Sequence, residues 1–256
     1  MEKRVEELTE YLSRFVTPRR LARMEEVLRE RTRYITVLLE DIYQPHNASA
    51  VLRSCDSCGV QDVHILEKRN SYRVNPGVEL GTAQWLTLRK YRLPRPGESG
   101  APVASPSAEG RDSSTLVAED PTALALRQLR DSGYRIVATT PHTDEVDLPE
   151  FDLFRGKVAL CFGTEMGGLS EGLLAEADEY LRIPMYGFVE SFNISVSAAI
   201  TLYTLTQRLR SPGREFPSLD SREIEELRLS WLRGSVKEWR RLEQRFVEES
   251  GAGGGE

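Results

Sequence analysis

The run 157-KVALCFGTEMGGLSEG-172 sets six residues of buried-strand character, 157-KVALCF-162, directly before a glycine-rich turn, 163-GTEMGGLSEG-172, that opens a helix. Glycines at a strand-to-helix turn let backbone N–H groups approach a ligand at the carboxyl edge of a sheet. The turn carries neither G-x-G-x-x-G nor G-x-x-x-x-G-K-[ST], so dinucleotide and triphosphate binding are not indicated. By itself it is a plain glycine-rich connection, and its meaning depends on its surroundings.

Upstream stand 34-YITVLL-39, 62-DVHIL-66, 86-LTLRKY-91 and 134-YRIVAT-139, and downstream 180-YLRIP-184, all short and rich in strand formers. Helical stretches near 47 to 58, 121 to 132 and 169 to 177 lie between them, and a longer helix follows from about Asn193 to Arg210. Apolar strands alternating with helices predict an α/β fold with a mainly parallel sheet covered on both faces. That core spans residues 34 to 210, interrupted by a stretch from 94 to 121 that holds five prolines amid serine and glycine. Such a composition predicts a disordered surface insertion rather than a missed element.

The flanks differ from the core. Residues 1 to 33 read as a basic helical arm, in which positions 14 to 33 hold seven arginines against three acids. Thr17 followed by Pro18 is a helix start, and Leu21, Met24, Val27 and Leu28 then recur at helical spacing. On a helix continued through residue 33, Arg19, Arg23, Arg29 and Arg33 share an arc of about 120° with Glu26 and Glu30. The plain alternative for that face is solvation with intrahelical ion pairs. Residues 211 to 250 form a second helical extension, with Trp231, Leu232, Trp239, Leu242 and Phe246 as buried candidates and Gly234 as its dividing point; 251-GAGGGE-256 reads as a flexible tail.

The whole chain has 256 residues, with 34 Lys+Arg against 40 Asp+Glu, and this net charge of -6 argues against histone-like coating of nucleic acid while leaving room for local basic surfaces. No run approaches the roughly 18 apolar residues of a membrane span, and the charged start, MEKRVEELTE, has no secretory apolar region. A cytoplasmic protein without membrane contact is expected. Cys55, Cys58 and Cys161 are too few for a disulfide framework. The C-x-x-C pair lacks the further ligands that zinc needs and sits late in a helix rather than at a redox-type turn, so a structural role is preferred and no metal is expected. His46, His64 and His142 have neither ligand nor triad spacing.

Three segments together carry more than any one of them: 45-PHNASAVLRSCDSCGV-60, 160-LCFGTEMGGLS-170 and 181-LRIPMYGFVESFNISVSAAI-200. In their order and spacing they resemble the TrmH family of SPOUT methyltransferases, which move a methyl group from S-adenosylmethionine to a ribose 2′-hydroxyl of RNA. The resemblance implies an α/β fold with a deep C-terminal trefoil knot, an exception to the rule against knots. It also implies a homodimer that sets the first segment against a cofactor pocket made by the other two. In that pocket the loop of Gly163, Glu165, Gly167 and Gly168, the backbone at Ile183 and Phe192, and Thr139 nearby would hold S-adenosylmethionine, mostly through main-chain contacts.

Catalytic positions implied by the same resemblance are Asn47, Arg53, Glu165, Ser191 and Asn193. Each has a plain alternative: Asn47 and Asn193 could cap helices, and Arg53 could be a surface residue. Methyl transfer from a sulfonium is an in-line displacement that needs alignment and the removal of one proton. A guanidinium is a poor proton acceptor at neutral pH, so a charge role for Arg53 is preferred, on the adjacent phosphate and the developing alkoxide. Asn47 and Asn193 would position the ribose or the Arg53 loop, Ser191 would support the cofactor loop, and Glu165 would orient neighbours. The chain departs from the family pattern at Glu190 and at Phe192, where leucine is usual.

Only about 33 residues precede the first strand, which resembles the members acting on tRNA rather than those on ribosomal RNA with an added N-terminal domain. The implied target is guanosine 18 of the D-loop. Arg14, Arg19, Arg20, Arg23, Arg29 and Arg33, with Arg228, Arg240 and Arg241, would contact phosphates rather than bases. Ribosomal RNA as substrate and a catalytically silent RNA-binding protein stand as the alternatives.

Overall fold

The structure, a computed structural model, describes residues 2–73, 75–93, 120–141, 146–164 and 167–252. In chain order its elements are α1 (Glu2–Ser13), α2 (Pro18–Arg29), β1 (Ile35–Glu40), α3 (Pro45–Ser57), β2 (Asp62–Glu67), α4 (Pro76–Glu79), β3 (Thr87–Arg92), α5 (Pro121–Asp131), β4 (Arg135–Thr139), β5 (Val146–Asp147), β6 (Val158–Phe162), α6 (Glu171–Ala175), β7 (Glu179–Arg182), α7 (Ile194–Leu209), α8 (Ser221–Ser235) and α9 (Trp239–Ala252). They fall into two compact units, one of Arg33–Phe216 and one of Met1–Thr32 with Pro217–Glu256.

In the larger unit the described strands form one sheet, ordered β3-β2-β1-β6-β4-β7-β5 and parallel throughout. Successive strand residues point to opposite faces, and here both faces are apolar. Ile35, Val37 and Leu39 of β1 and Val158, Leu160 and Phe162 of β6 join a core with Val51 and Leu52 of α3 and Leu202 and Leu205 of α7. Leu38, Ala159 and Cys161 point the other way, into a second core with Leu126 and Leu129 of α5 and Leu173 of α6. The expected α/β sheet is therefore observed. Strand β5 was not anticipated, because two residues are too short to show a period. The proposed insertion ends earlier than expected: Asp120 caps α5, accepting from Ala123 N, and Pro121 already lies in the helix. Positions 94 to 119 lie outside the described residues.

In the smaller unit, α1 packs on α8 and α9, and α2 on α8. Thr17 caps α2 through Arg20 N, as its sequence indicated, but the helix stops at Arg29 instead of running through residue 33. The next residues are drawn into buried contacts. Arg31, 1% exposed, lies 5.4 Å from the centroid of the Trp231 ring, and Thr32 Oγ1 donates to the Pro217 carbonyl at 2.6 Å. The long C-terminal helix divides at Val236–Glu238, where Val236 is extended and buried and Glu238 has φ 56, while Gly234 remains helical. Helix α9 runs on to Ala252, two residues into the expected tail. Among the described residues no helix is long and apolar enough to cross a membrane.

On the α5 face, His64 Nδ1 lies 2.8 Å from Tyr91 Oη, which donates to Gln128 Oε1 at 3.0 Å. Burial pushes the His64 pKa down to about 3, with Arg89 adding to the effect. An imidazole that stays neutral when folded but takes up a proton when unfolded favours unfolding as the pH falls below about 6.5, down to the folded value. Urea unfolding is expected to show about 1.4 kcal/mol less stability at pH 5.5 than at pH 7.5 from this group, and His64→Asn to lose that part of the pH dependence. An unchanged slope in the variant would contradict the burial argument.

Candidate functional site

The register of the parallel sheet brings strand ends together. Leu39 pairs with Phe162, Ala138 with Cys161 and Thr139 with Leu181, so the carboxyl ends of β1, β6, β4 and β7 lie side by side. Ligands of open parallel sheets bind at such an edge. Three of the sequence-predicted cofactor segments emerge here: Thr139 ends β4, Gly163 follows β6 and Ile183 follows β7.

Thr139 Oγ1 donates to the Cys161 carbonyl at 2.7 Å, which joins β4 to β6 and leaves the hydroxyl oxygen able to accept. Gly163 is required for steric reasons: a Cβ there would stand 2.1 Å from the backbone carbon and oxygen of Gly168. The approach is closed by a two-way bridge, Thr164 N to Gly168 O and Gly168 N to Thr164 O, both 2.9 Å, and by Gly167 N donating to Thr164 Oγ1 at 3.0 Å. Gly168 has φ 62, which favours glycine, and both Gly167 and Gly168 are exposed. Glu165 lies outside the described residues.

Asn47 and Asn193 meet. Asn193 caps α7, its Oδ1 accepting from Ser195 N at 2.9 Å and Ser195 Oγ at 2.6 Å, while its Nδ2 donates to Asn47 Oδ1 at 3.3 Å. Asn47 is 3% exposed and donates to Gln44 Oε1 at 3.3 Å. The plain reading of Asn193 as a cap and its link to the first motif thus coexist, whereas α3 is entered at Pro45 after Gln44, so Asn47 is not its cap. Arg53 is not drawn to this pair. Six residues on, it stands about 120° around the helix from Asn47, exposed, with its guanidinium donating to the Val78 carbonyl at 3.2 Å. Ser191 and Phe192 are exposed on the loop before α7, and Ile183 is half-buried against the core.

The basic positions divide. Arg14, Arg19, Arg20, Arg23 and Arg29 are exposed; Arg14 pairs with Glu10 at 3.3 Å and Arg23 with Glu26 at 3.0 Å. Arg33 does not continue their face: it belongs to the larger unit, where its Nε donates to Asp62 Oδ2 at 3.1 Å. Arg228 also differs from expectation, since it is bonded to Glu25 at 2.6 Å and to Glu225, which holds the Glu25 carboxyl below its usual range. Arg240 and Arg241 are exposed. Cys55 is buried in the core and burial raises the Cys58 thiol. No group of three or more His, Cys, Asp or Glu able to hold a metal occurs among the described residues. A cleft of about 840 Å³ on the α5–α6 face, lined by Lys68, Thr122, Arg127, Ser170 and Glu171 among others, carries mixed charge and touches the motif segments only at Ser170.

A parallel α/β sheet with a glycine-closed loop at its carboxyl edge defines a ligand-binding α/β protein, and comparison makes this specific. The model of the SpoU rRNA Methylase family matches residues 100–203. The chain is 38% identical over 232 residues to the tRNA (guanosine(18)-2'-O)-methyltransferase of Borreliella burgdorferi, covering 91% of this chain and 93% of that protein. It is 34% identical over 218 residues to the protein of the same name from Thermus thermophilus, covering 85% and 97%. The crystal structure of the Aquifex aeolicus TrmH/SpoU tRNA modifying enzyme superposes with a TM-score of 0.68 at 26% identity, covering 86% of this chain and 98% of that one. The chain belongs to the SpoU methylase family, in agreement with the resemblance carried by the three motifs.

Glu40, Lys68, Ser170 and Gln44 also stand at this edge and were not singled out in the sequence. The available signal was Glu40, the one charged residue in a strand buried along its whole length, ITVLLE. Two glycines, one at the start of the loop and one in α6, give a test of the loop geometry. Gly163→Ala is expected to destabilise by about 2 kcal/mol or more, since the added Cβ meets backbone. Gly172→Ala, which lies in α6 and meets nothing within 4 Å, should be neutral or stabilising by up to about 1 kcal/mol. Equal melting temperatures for the two variants would contradict the closed loop.

Proposed function

We propose that this chain is an S-adenosylmethionine-dependent RNA ribose 2′-O-methyltransferase that acts on guanosine 18 of tRNA in the cytoplasm. The observation that carries the reading is the length of the likeness. The 232 residues aligned with the Borreliella burgdorferi enzyme exceed what Arg33–Phe216 can hold, so the match extends into the terminal helices as well as the core.

The loops at the carboxyl edge fit the cofactor. Gly167 and Gly168 expose main chain, nothing stands within 4 Å of where a Gly168 Cβ would be, Ile183 and Phe192 offer apolar surface, and Thr139 offers a hydroxyl oxygen. These residues, with Gly163 shaping the loop, would hold S-adenosylmethionine by its polar edges and its adenine. When bound, the cofactor supplies an electrophilic methyl group on a sulfonium sulfur. Arg53 then binds the phosphate beside the target ribose with its planar fork and stabilises negative charge building on the 2′-oxygen, leaving the proton to phosphate or water. Asn47 and Asn193 orient the ribose, and Ser191 supports the cofactor loop.

The same proposal includes a homodimer and a C-terminal trefoil knot. Tyr186 and Phe188 are almost wholly exposed, and Tyr43, Phe192 and Val196 add apolar surface; aromatic exposure of this kind marks an interaction surface. Within one protomer Arg53 is turned away from Asn193, which supports a site completed by a second protomer. Residues 1 to 33 and 211 to 250 serve as RNA-binding extensions, with Arg14, Arg19, Arg20, Arg23 and Arg29 on phosphates. Their exposed ion pairs are weak and exchange readily for phosphate, so affinity should fall with salt.

Labelled methyl transfer to unmodified tRNA and to ribosomal RNA transcripts, with the product nucleotide mapped by mass spectrometry, tests this reading. The expected product is 2′-O-methylguanosine at position 18 of tRNA, and Arg53→Ala should cut the rate by at least about 100-fold while cofactor affinity stays nearly unchanged. Label only in ribosomal RNA would overturn the substrate, and a wild-type rate in Arg53→Ala would overturn the role of that residue.

A further inference from the structure

The glycine-rich loop has two ends, and the cofactor-site residues named so far account for only the first. It leaves β6 at Gly163 and finishes at Ser170, the N-cap of α6. At that far end the Glu40 carboxylate takes three donors: Ser170 N to Oε2 at 2.7 Å, Ser170 Oγ to Oε1 at 2.6 Å and Lys68 Nζ to Oε1 at 2.7 Å. Ser170 Oγ in turn accepts from Lys68 Nζ at 2.9 Å, and from Leu173 N at 3.4 Å as the cap. Both Ser170 protons and two of the Lys68 Nζ protons thus have acceptors inside the cluster.

Glu40 is 2% exposed. A buried carboxylate is retained against its desolvation cost only where its partners are well placed, and removing one of them is strongly unfavourable. Its position gives the cost a purpose. Glu40 follows Leu39, which pairs with Phe162, so its carboxylate comes from the strand end beside the start of the loop and closes on the loop's end. Lys68 follows the last residue of β2, and Lys68 N, Arg69 N and Asn70 N all donate to Asp41 Oδ1, at 3.1, 2.8 and 2.7 Å, which fixes the segment that carries the ammonium.

We infer that Glu40, with Lys68, is a positioning residue for the cofactor loop: clamped through Ser170, Gly167 and Gly168 are held in place before the cofactor arrives. The inference rests on the methyltransferase reading for its link to S-adenosylmethionine, but the clamp itself can be read without the cofactor. Because all three groups facing Glu40 are donors, Glu40→Gln offers an amide N–H₂ where only an acceptor fits. Ser170→Ala removes a single hydroxyl outside the core and guards against loss of the fold in the first variant.

Two measurements on the full-length protein decide the matter. In hydrogen exchange without cofactor, the Gly168 and Ser170 amides should exchange at least about tenfold faster in Glu40→Gln and Ser170→Ala than in wild type, with β1 and β6 unchanged. In steady-state transfer, both variants should raise KM for S-adenosylmethionine about tenfold with kcat nearly preserved at saturation, because the loop shape is recovered by binding, and Glu40→Asp should recover part of the loss. Unchanged loop exchange, or kcat and KM effects that only track the unfolded fraction, would overturn the clamp. Faster loop exchange in the variants together with no cofactor binding by wild type would uphold the clamp and overturn the functional reading.

Discussion

Everything at the carboxyl edge depends on where β6 lies. It pairs with β1 on one side and β4 on the other, and all five of its residues are buried. A strand hydrogen-bonded on both edges and covered on both faces cannot shift by one residue without exchanging its two sets of side chains between the two cores. The loop that leaves Phe162 is therefore launched from a fixed point of the sheet, between the ends of β1 and β4. The close approach of Gly163 to Gly168, the Thr139 bond to Cys161 and the Glu40 clamp on Ser170 all use that fixed origin.

Much of the larger unit was legible because its strands are buried on both faces. Runs such as 157-KVALCF-162 and 34-YITVLL-39 announce themselves by continuous apolar character, and the glycines and prolines between them mark the turns. What was missed follows from contacts that periodicity does not contain. The helical pattern continues past Arg29, but buried Arg31 against Trp231 and Thr32 against Pro217 end α2 there. The arginine face consequently loses Arg33, whose charge is held by Asp62 within the larger unit. Likewise Gly234 looked like a break by composition, yet the turn falls at Val236–Glu238, where burial of Val236 rather than a weak helix former redirects the chain.

The site was legible in a different way. Glycine at 163 can be argued from the turn, but the reason only Gly fits, the backbone of residue 168, is a tertiary fact. Asn47 and Asn193 are 146 positions apart and each is an ordinary helix-start residue by local pattern; only family likeness linked them, and the structure joins them by a side-chain hydrogen bond. Arg53, from the same helix, faces elsewhere. Spacing along α3 alone gives that divergence, since six residues cannot share one helical face. Glu40 was passed over because a charge at the end of a strand is usually a solvated terminus, and its partners come from two distant segments.

The edge formed by β6, β4 and β7 is the proposed seat of the cofactor. The most direct measurement is a crystal structure of the protein grown with S-adenosylhomocysteine, which keeps the adenosine and amino-acid parts of the cofactor. The ligand is expected against Gly167, Gly168, Ile183 and Thr139, with the Asn47–Asn193 pair nearby. Density for it in the mixed-charge cleft beside Lys68 and Arg127, with the carboxyl-edge loops unliganded, would contradict that placement.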